Sequence, residues 1–369
     1  MSSRRGSAHW ALPVAPGPAA IDVLVPTADR PAELAVTLAG LAAQDDPPFR
    51  VIISDQSEQD AAEQAPAVAA MTRVLRAQGR EVEALRHLPR RGMAEQRQFL
   101  LDRASAPRLL FLDDDVWLEP GALARLDRAL SAQRCGFVGF AVQGLSYLPD
   151  VRERERAPFQ PWGPEGVQPE RLGRDRPGFA RWTLHNAANM AHEAAARGLA
   201  DDDALPYRVA WIGGCVLFDR EALVAAGGFG FWRDLPPGHA GEDVAAQWRV
   251  MAERGGAGIL PSGAVHLEAP TTLTDRRVEA ADIVYGASEK SATEEREAEE
   301  RQAEDREADD RSAQARTPEK TPGSIRAEEK RGNDERQAEP DPDPEVPGRR
   351  RLPRRQGSDP RRGARVGRR

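Results

Sequence analysis

The sequence has few of the residues that cross-link a protein or anchor it in a membrane. It contains two cysteines, Cys135 and Cys215, without a Cys-x-x-Cys pair or a His/Cys cluster, which argues against a disulfide framework and a structural zinc site. Hydrophobic residues make up 40% and aromatic residues only 5% of the 369 residues, enough for one core but thin for a fully folded chain of this length. No apolar run reaches about 18 residues, so no membrane-spanning helix is expected.

Charge is distributed unevenly along the chain. Positions 289–345 hold 20 acidic and 11 basic residues, and positions 346–369 hold 10 arginines and one acid. The two parts cancel, so the net charge of −7 belongs to the first 286 residues, which excludes a uniformly basic nucleic-acid-binding body. The tail has no apolar face, so we expect residues 287–369 to be disordered, with the basic end offering peripheral contact to an anionic membrane.

Before this tail, apolar segments alternate with helical patterns. Such continuously apolar strands are typical of a mostly parallel α/β sheet that is covered on both faces. Strands are predicted at 21–25, 51–55, 81–88, 108–112, 136–142, 209–218 and 258–260. Helices are predicted from Pro31 and at 61–78, 93–104, 121–131, 222–226 and 242–254. We expect a disordered leader at 1–19 and one domain at 20–286, which comprises a nucleotide-binding half (20–142), an insertion of loops and short helices (143–207) and an acceptor half (208–286).

Carboxylates occur where a ligand would bind such a sheet. Asp113, Asp114 and Asp115 follow an apolar strand, and ligands of open α/β sheets bind beyond the carboxyl ends of the strands. Three adjacent acids indicate either a site for a hard divalent cation with a substrate phosphate, or an acidic loop that caps the following helix. Glu242 and Asp243 begin a predicted helix, where they either interact with the helix dipole or provide a general base.

Four further side chains have both a functional and a structural interpretation. Asp55 ends a strand and could contact a base or ribose, or form a turn with its neighbouring serines. Arg97 could meet a phosphate or be a solvated helix residue. His266 follows the last predicted strand and could be a metal ligand or a structural histidine. Trp211 could stack on a sugar, although its place in an apolar strand favours the core.

Together these residues resemble glycosyltransferase family 2 from about Ile21 to Pro270. The segments that carry the resemblance are Val23-Leu24-Val25-Pro26-Thr27 with Arg30, Ile52-Ile53-Ser54-Asp55 with Ser57 and Asp60, Gly92 with Gln96-Arg97-Gln98, Leu112-Asp113-Asp114-Asp115, Ile212-Gly213-Gly214 with the following strand, and Gly241-Glu242-Asp243. The family has an Ala-Arg-Asn sequence where this chain has Gln96-Arg97-Gln98, so that match is partial. The resemblance implies the GT-A fold, a Rossmann-like, mostly parallel mixed sheet flanked by helices.

The resemblance also implies roles for individual residues. Asp115, with support from Asp113 and Asp114, would hold Mn²⁺ or Mg²⁺ against the donor diphosphate, and His266 would be a further metal ligand. Asp243, beside Glu242, would be the general base. The donor nucleotide would contact Pro26, Thr27, Arg30, Asp55, Arg97, Asp113 and Asp114. Gly213, Gly214 and Trp211 would lie on the acceptor and sugar side.

The implied function is an inverting, metal-assisted glycosyltransferase, hexosyltransferase-like, in a bacterial cytoplasm or at the inner face of the membrane. Its partners would be a nucleoside-diphosphate sugar and a glycan, lipid or small-molecule acceptor, and no nucleic acid is expected. One alternative is a nucleotidyltransferase, but Pro26-Thr27-Ala28-Asp29 stands where such enzymes carry a Gly-rich loop with Arg. The other is a catalytically silent sugar-nucleotide-binding or scaffold protein that presents the tail, against which Asp115 and Asp243 argue.

Overall fold

The structure, a computed structural model, describes residues 2–14, 17–185, 188–271 and 277–286, all of which lie in one compact unit, Met1–Asp305. The strands are β1 (Ile21–Thr27), β2 (Phe49–Asp55), β3 (Val82–Arg86), β4 (Arg108–Leu112), β5 (Val116–Leu118), β6 (Phe137–Gly139), β7 (Gln143–Gly144), β8 (Leu205–Tyr207), β9 (Cys215–Asp219), β10 (Gly256–Leu260) and β11 (Ala264–His266). The α-helices are α1 (Pro31–Ala42), α2 (Pro66–Ala77), α3 (Met93–Arg103), α4 (Ala122–Gln133), α5 (Glu153–Arg156), α6 (Asn189–Arg197), α7 (Arg220–Ala225), α8 (Glu242–Arg254) and a last helix at 280–286. Short 3-10 helices lie at Ser7–His9, Ala62–Gln64, Leu145–Tyr147, Pro177–His185 and Gly230–Asp234.

Eight of the described strands form one mixed sheet in the order β3-β2-β1-β4-β9-β6-β10-β8. β1 is parallel to both of its neighbours, with Val23 opposite Val51 of β2 and Leu110 of β4. β9 is antiparallel to β4 and to β6, and β8 is antiparallel to β10. The described part of the chain also has a small sheet in the order β5-β11-β7. The predicted α/β class, with a largely parallel sheet flanked by helices, is confirmed.

The two faces of the large sheet have separate cores. Successive side chains of a strand point to opposite faces, so Val23 and Val25 pack in one apolar cluster with Leu38 of α1. Leu24 packs in the other, with Leu100 of α3. Every residue of β1 is buried. This two-sided burial accounts for the apolar run Val23-Leu24-Val25 in the middle of the strand.

The apolar segment predicted as a strand at 209–218 is a strand only over β9, and the earlier part of the prediction is wrong. Gly214 has a φ of +77°, which interrupts an extended chain. The preceding loop is nevertheless buried, because Gln247 of α8 satisfies its backbone. The Ile212 N–H donates to Gln247 Oε1 at 2.8 Å, and Gln247 Nε2 donates to the Ile212 carbonyl at 2.7 Å. The apolar residues before β9 therefore indicate burial and not a β-strand.

Other element boundaries also differ from the sequence prediction. Pro66 begins α2 and holds Ala65 in an extended conformation (ψ 127°), which separates the 3-10 helix Ala62–Gln64 from α2 where one helix was predicted. The strand predicted at 136–142 is only β6. Four short strands, β5, β7, β8 and β11, were not predicted, and His266 ends β11 instead of following the last strand. β11 pairs antiparallel with β5, so His266 lies opposite Val116, one residue after the acidic triplet.

The structure describes most of the predicted leader but none of the predicted tail. Within the predicted leader, Ser3 N–H donates to Asp46 Oδ1 at 2.7 Å and Arg5 N–H donates to the Gln78 carbonyl at 3.0 Å, so the structure places part of it against the domain. The predicted disordered tail at 287–369 lies outside the described residues, and the division into domains stays a prediction. Among the helices that the structure describes, none combines the length and apolarity needed to cross a bilayer.

Candidate active site

A cleft of about 560 Å³ lies at the carboxyl edge of the parallel strands, a size in the usual range of small-molecule sites. The end of β1, the start of α3, the acidic triplet, the loop before β9, the start of α8 and the end of β11 form its walls. It brings together twelve of the residues singled out in the sequence: Pro26, Thr27, Arg30, Arg97, Asp113, Asp114, Asp115, Trp211, Gly213, Glu242, Asp243 and His266.

Asp114 is buried at the base of the cleft, and both of its carboxylate oxygens are hydrogen-bonded. Thr27 Oγ1 donates to Oδ2 at 2.7 Å and Arg30 Nη1 donates to Oδ1 at 3.0 Å. Burial raises the pKa of Asp114 to about 6 although both partners oppose the shift. The Asp114 carbonyl also accepts from Thr37 Oγ1 at 2.7 Å, which holds the triplet against α1.

Asp115 contacts two basic side chains through one carboxylate oxygen. Its Oδ2 accepts from Arg30 Nη1 at 2.8 Å and lies 3.4 Å from His266 Nε2. Burial alone would raise the pKa of Asp115, but His266 and Arg30 outweigh it and hold the pKa below its usual value. The hydrogen bond to Asp115 raises the pKa of His266. The Glu268 N–H donates to His266 Nδ1 at 2.9 Å, so a neutral His266 ring carries its proton on Nε2, which faces Asp115.

Arg97 is a buried link between the acidic triplet and α8. Its Nε donates to Glu242 Oε1 at 2.9 Å and its Nη2 donates to Asp113 Oδ1 at 3.1 Å. Burial would lower the pKa of Arg97, but Asp113 and Glu242 raise it further above its usual value. Burial raises the pKa of Asp113, and Arg97 opposes this shift. Arg97 is thus buried and paired with two carboxylates, and it is not a solvated helix residue.

Asp243 lies in the first turn of α8, beside Glu242. Its Oδ1 accepts from the Val244 N–H at 2.9 Å. Burial, with the charge of Glu242 as the next cause, raises the pKa of Asp243 to about 7, and Arg97 opposes the rise. A carboxyl group with a pKa near neutrality can take up a proton at physiological pH more effectively than an ordinary aspartate.

The loop before β9 faces Asp243. A Cβ atom on Gly213 would lie 4.0 Å from Asp243 Oδ2, so this glycine borders the carboxylate. Gly214 does not line the cleft; its carbonyl accepts from the Asp113 N–H at 2.9 Å and so supports the triplet. Trp211 is half-buried in the loop. It lines the cleft and also packs on Phe179, with the ring centroids 5.9 Å apart.

Asp55 is the other predicted residue that the structure does not bring to the cleft. Its Oδ1 accepts from the Ser57 N–H at 2.8 Å, and its Oδ2 accepts from the Ala62 N–H at 2.7 Å. The side chain is 3% exposed. Both oxygens therefore serve the turn after β2, as in the structural interpretation of this residue.

Comparisons with known proteins bear on this cleft. Residues 22–189 match the model of Glycosyl transferase family 2. The resemblance seen in the sequence is thereby confirmed. The family 2 match includes Arg97 and the acidic triplet and ends before Asp243. None of the curated proteins matches the sequence significantly.

Several solved structures are similar to this chain at low identity. TarS 1–349 of S. aureus has 16% identity and a TM-score of 0.41, over 67% of this chain and 60% of that chain. Its complex with UDP-GlcNAc has 15% identity and a TM-score of 0.42, over 69% and 60%. The mannosyltransferase PcManGT of Pyrobaculum calidifontis, in complex with GDP-Man and Mn²⁺, has 18% identity and a TM-score of 0.44, over 72% and 64%. This chain therefore spans less than two thirds of the length of each.

The residues expected to hold a metal fit a divalent cation in part. Among the described residues, no group of three or more His, Cys, Asp or Glu side chains is arranged to hold a metal ion. Asp113 Oδ2 and Asp115 Oδ1 make no hydrogen bond within the described ranges, so each acid retains an oxygen for a hard cation that takes its other ligands from a diphosphate. His266 Nε2 lies 3.4 Å from Asp115 Oδ2, and its role as a metal ligand stays a prediction.

Gln96 and Glu279 are among the cleft residues to which the sequence assigned no role. Gln96, within the family 2 match, donates from Nε2 to the carbonyls of Ser54 (2.7 Å) and Thr27 (3.3 Å), and so joins the ends of β1 and β2. Its position one residue before Arg97 was the feature of the sequence that could have indicated a place at the cleft. Glu279 also lines the cleft, but it lies after the last predicted strand, where no pattern distinguished it from other acids.

Proposed function

We propose that this chain is an inverting glycosyltransferase that moves a hexosyl group from a nucleoside-diphosphate sugar to an acceptor hydroxyl. The observation that carries the proposal is one cleft in which the acidic triplet of the family 2 match faces Asp243, a carboxyl group with a pKa near neutrality. One side of this cleft suits a charged diphosphate and the other suits proton removal. These are the two requirements of glycosyl transfer.

Asp243 acts as the general base. Its carboxylate takes the proton of the acceptor hydroxyl while the hydroxyl oxygen forms a bond to the anomeric carbon of the sugar. The bond from that carbon to the diphosphate oxygen breaks at the same time, and its electron pair leaves with the diphosphate. Attack occurs from the face opposite the leaving group, so the anomeric configuration inverts. Gly213, which borders Asp243, leaves room for the sugar.

The donor lies against the ends of β1 and β4. Pro26, Thr27 and Arg30 line this side, and the Arg30 guanidinium provides positive charge beside the triplet. Asp113 and Asp115 would hold a Mn²⁺ or Mg²⁺ ion, whose chemistry is to offset the charge that develops on the departing diphosphate. Arg97 keeps Asp113 and Glu242 in place and acts as a positioning residue.

Replacement of Asp243 tests this function. Asp243→Asn keeps the shape of the side chain and removes the base, so turnover should fall about 10²–10⁴-fold while donor affinity stays unchanged. UDP-GlcNAc and GDP-mannose with MnCl₂ are the first donors to use, with product release for turnover and calorimetry for affinity. Asp219→Asn is the matched control, because Asp219 ends β9 outside the cleft and caps α7, where it accepts from the Ala222 N–H.

Near-normal turnover in Asp243→Asn would contradict the assignment of the base. If Glu242→Gln loses turnover instead, Glu242 is the base and Asp243 is the helix-start residue. Tight donor binding by the wild type without transfer to any acceptor would favour a catalytically silent binding protein.

The setting of the reaction is part of the same proposal. The enzyme works in a bacterial cytoplasm, and the arginines at positions 349–369 hold it at the anionic inner face of the membrane. Its acceptor is a glycan, a lipid or a small molecule, and no nucleic acid takes part. Vesicle binding that is unchanged after removal of those arginines would contradict the membrane contact.

A further inference from the structure

The segment 277–286 forms part of the cleft wall although it lies beyond the family 2 match. The Ala240 N–H donates to the Val278 carbonyl at 2.9 Å, and the Ala280 N–H donates to the Ala240 carbonyl at 2.8 Å. These two bonds align residues 278–280 with the residue that precedes Gly241 at the start of α8. The backbone of the segment is therefore held directly beside Glu242 and Asp243.

Core packing fixes the same segment on α8. Ala280 and Ala281 are buried in the second apolar cluster. The Tyr285 ring lies 5.5 Å from the Trp248 ring, centroid to centroid, and Tyr285 Oη donates to the Ala245 carbonyl at 3.2 Å. Contacts at both ends of the segment thus set the position of Glu279 between them.

The Glu279 carboxylate occupies space that a glycine leaves open. Gly241 has a φ of +72°, and a Cβ atom there would lie 2.6 Å from Glu279 Oε2. Glu279 lines the cleft with a side chain that is 34% exposed. The carboxylate is therefore next to the residue that precedes the Glu242–Asp243 pair and is accessible from the cleft.

Glu279 also retains hydrogen-bonding capacity. Its nearest basic partner, Arg174, makes its short contact with Asp282, at 2.6 Å from Nε to Oδ1. The distance from Arg174 Nη2 to Glu279 Oε2 is 3.8 Å, which is too long for a hydrogen bond. Trp211 lines the same cleft with an aromatic surface. A carboxylate acceptor and an aromatic side chain near a general base form a mixed polar and apolar surface suited to a polar ring with several hydroxyls.

We propose that Glu279 is an acceptor-binding residue and that the acceptor end it binds is a neutral carbohydrate. The carboxylate accepts hydrogen bonds from hydroxyls next to the one that reacts, while the ring packs near Trp211. This inference rests on the proposed function, since it identifies the acceptor class of the same cleft. It adds a residue from outside the family 2 match to the site.

The test uses neutral sugars as probes. Methyl glycosides of glucose, galactose, mannose and N-acetylglucosamine, with cellobiose and maltose, are titrated into the full chain with UDP or GDP and MnCl₂, and binding is followed by ligand-observed NMR.

At least one probe should bind the wild type. Glu279→Ala should weaken that probe about tenfold or more, the usual worth of a hydrogen bond to a charged group. Glu279→Gln, which still accepts a hydrogen bond, should weaken it less. Asp282→Asn, an acid of the same segment that does not line the cleft, is the matched control and should bind as the wild type does.

Three results would overturn the inference: no probe binds the wild type, Glu279→Ala binds as tightly as the wild type, or Glu279→Gln loses as much affinity as Glu279→Ala. The last would mean that charge, and therefore a cationic acceptor, decides binding. Calorimetry of UDP and GDP with each variant checks the donor side and the fold. A wild type that binds a sugar probe but neither nucleotide would count against the proposed function and leave the role of Glu279 supported.

Discussion

Arg97 and Glu242 form a buried ion pair, with Arg97 Nε 2.9 Å from Glu242 Oε1 and both side chains 7% exposed. The pair joins α3 to the first residue of α8. Through its second hydrogen bond, Arg97 also holds Asp113, so one guanidinium connects the acidic triplet with the start of α8.

Loss of this guanidinium should destabilise the protein. Arg97→Met leaves two carboxylates at the cleft without their cation, and removal of one partner from a buried ion pair costs about 3–5 kcal/mol of unfolding free energy. Urea denaturation measures the loss. Arg103→Met is the matched control, because Arg103 ends the same helix at an exposed position. Equal effects of the two substitutions would show that the Arg97 pair adds no stability.

The raised pKa of Asp243 predicts a pH dependence of turnover. The base must be ionised to accept a proton, so turnover should rise with pH, reach half its maximum near pH 7 and level off above it. Initial rates between pH 5 and pH 9 at saturating donor would check this. The residual activity of Asp243→Asn should not rise with pH in this range. A rise with the same midpoint in that variant would assign the titration to another group.

The raised pKa of Asp243 also predicts that the stability of the fold falls as the pH rises, whereas turnover increases. The usual pKa of Asp is 3.8, so between about pH 4 and pH 7 the folded protein holds a proton that the unfolded chain has released. Ionisation of Asp243 therefore lowers the stability of the fold as the pH rises through this window. Asp243→Asn should melt at a higher temperature than the wild type at pH 8, and the difference should shrink toward pH 4.

Replacement can distinguish Asp115 from His266, two of the residues expected to hold metal, because His266 Nε2 faces Asp115. Asp115→Asn should abolish the strengthening of UDP or GDP binding by MnCl₂, because it removes an anionic oxygen ligand. His266→Gln should preserve it, since the glutamine amide can still donate to Asp115. Calorimetry with and without MnCl₂ measures both, with the exposed Asp102→Asn as the control. A loss in His266→Gln equal to that in Asp115→Asn would make His266 a metal ligand.

The framework of this protein could be predicted from the sequence. Strands buried on both faces are rich in apolar residues, so the apolar runs within β1, β2 and β4 indicated these strands. Proline at a first helical turn marked the start of α1. Because parallel strands end at one edge, the acidic triplet after β4 was expected beyond that edge, where ligands bind.

Which side chains face the cleft depends on contacts between distant parts of the chain. Asp55 ends β2 and Asp113 follows β4, yet the local N–H groups of Ser57 and Ala62 bind the Asp55 carboxylate, whereas Asp113 contacts Arg97 in the cleft. Arg97 pairs with Glu242, 145 positions away, and Glu279 reaches the cleft because residues 278–280 bond to Ala240. Local sequence patterns record burial and turns, but a side chain takes its charge state and direction from partners that only the folded chain brings together.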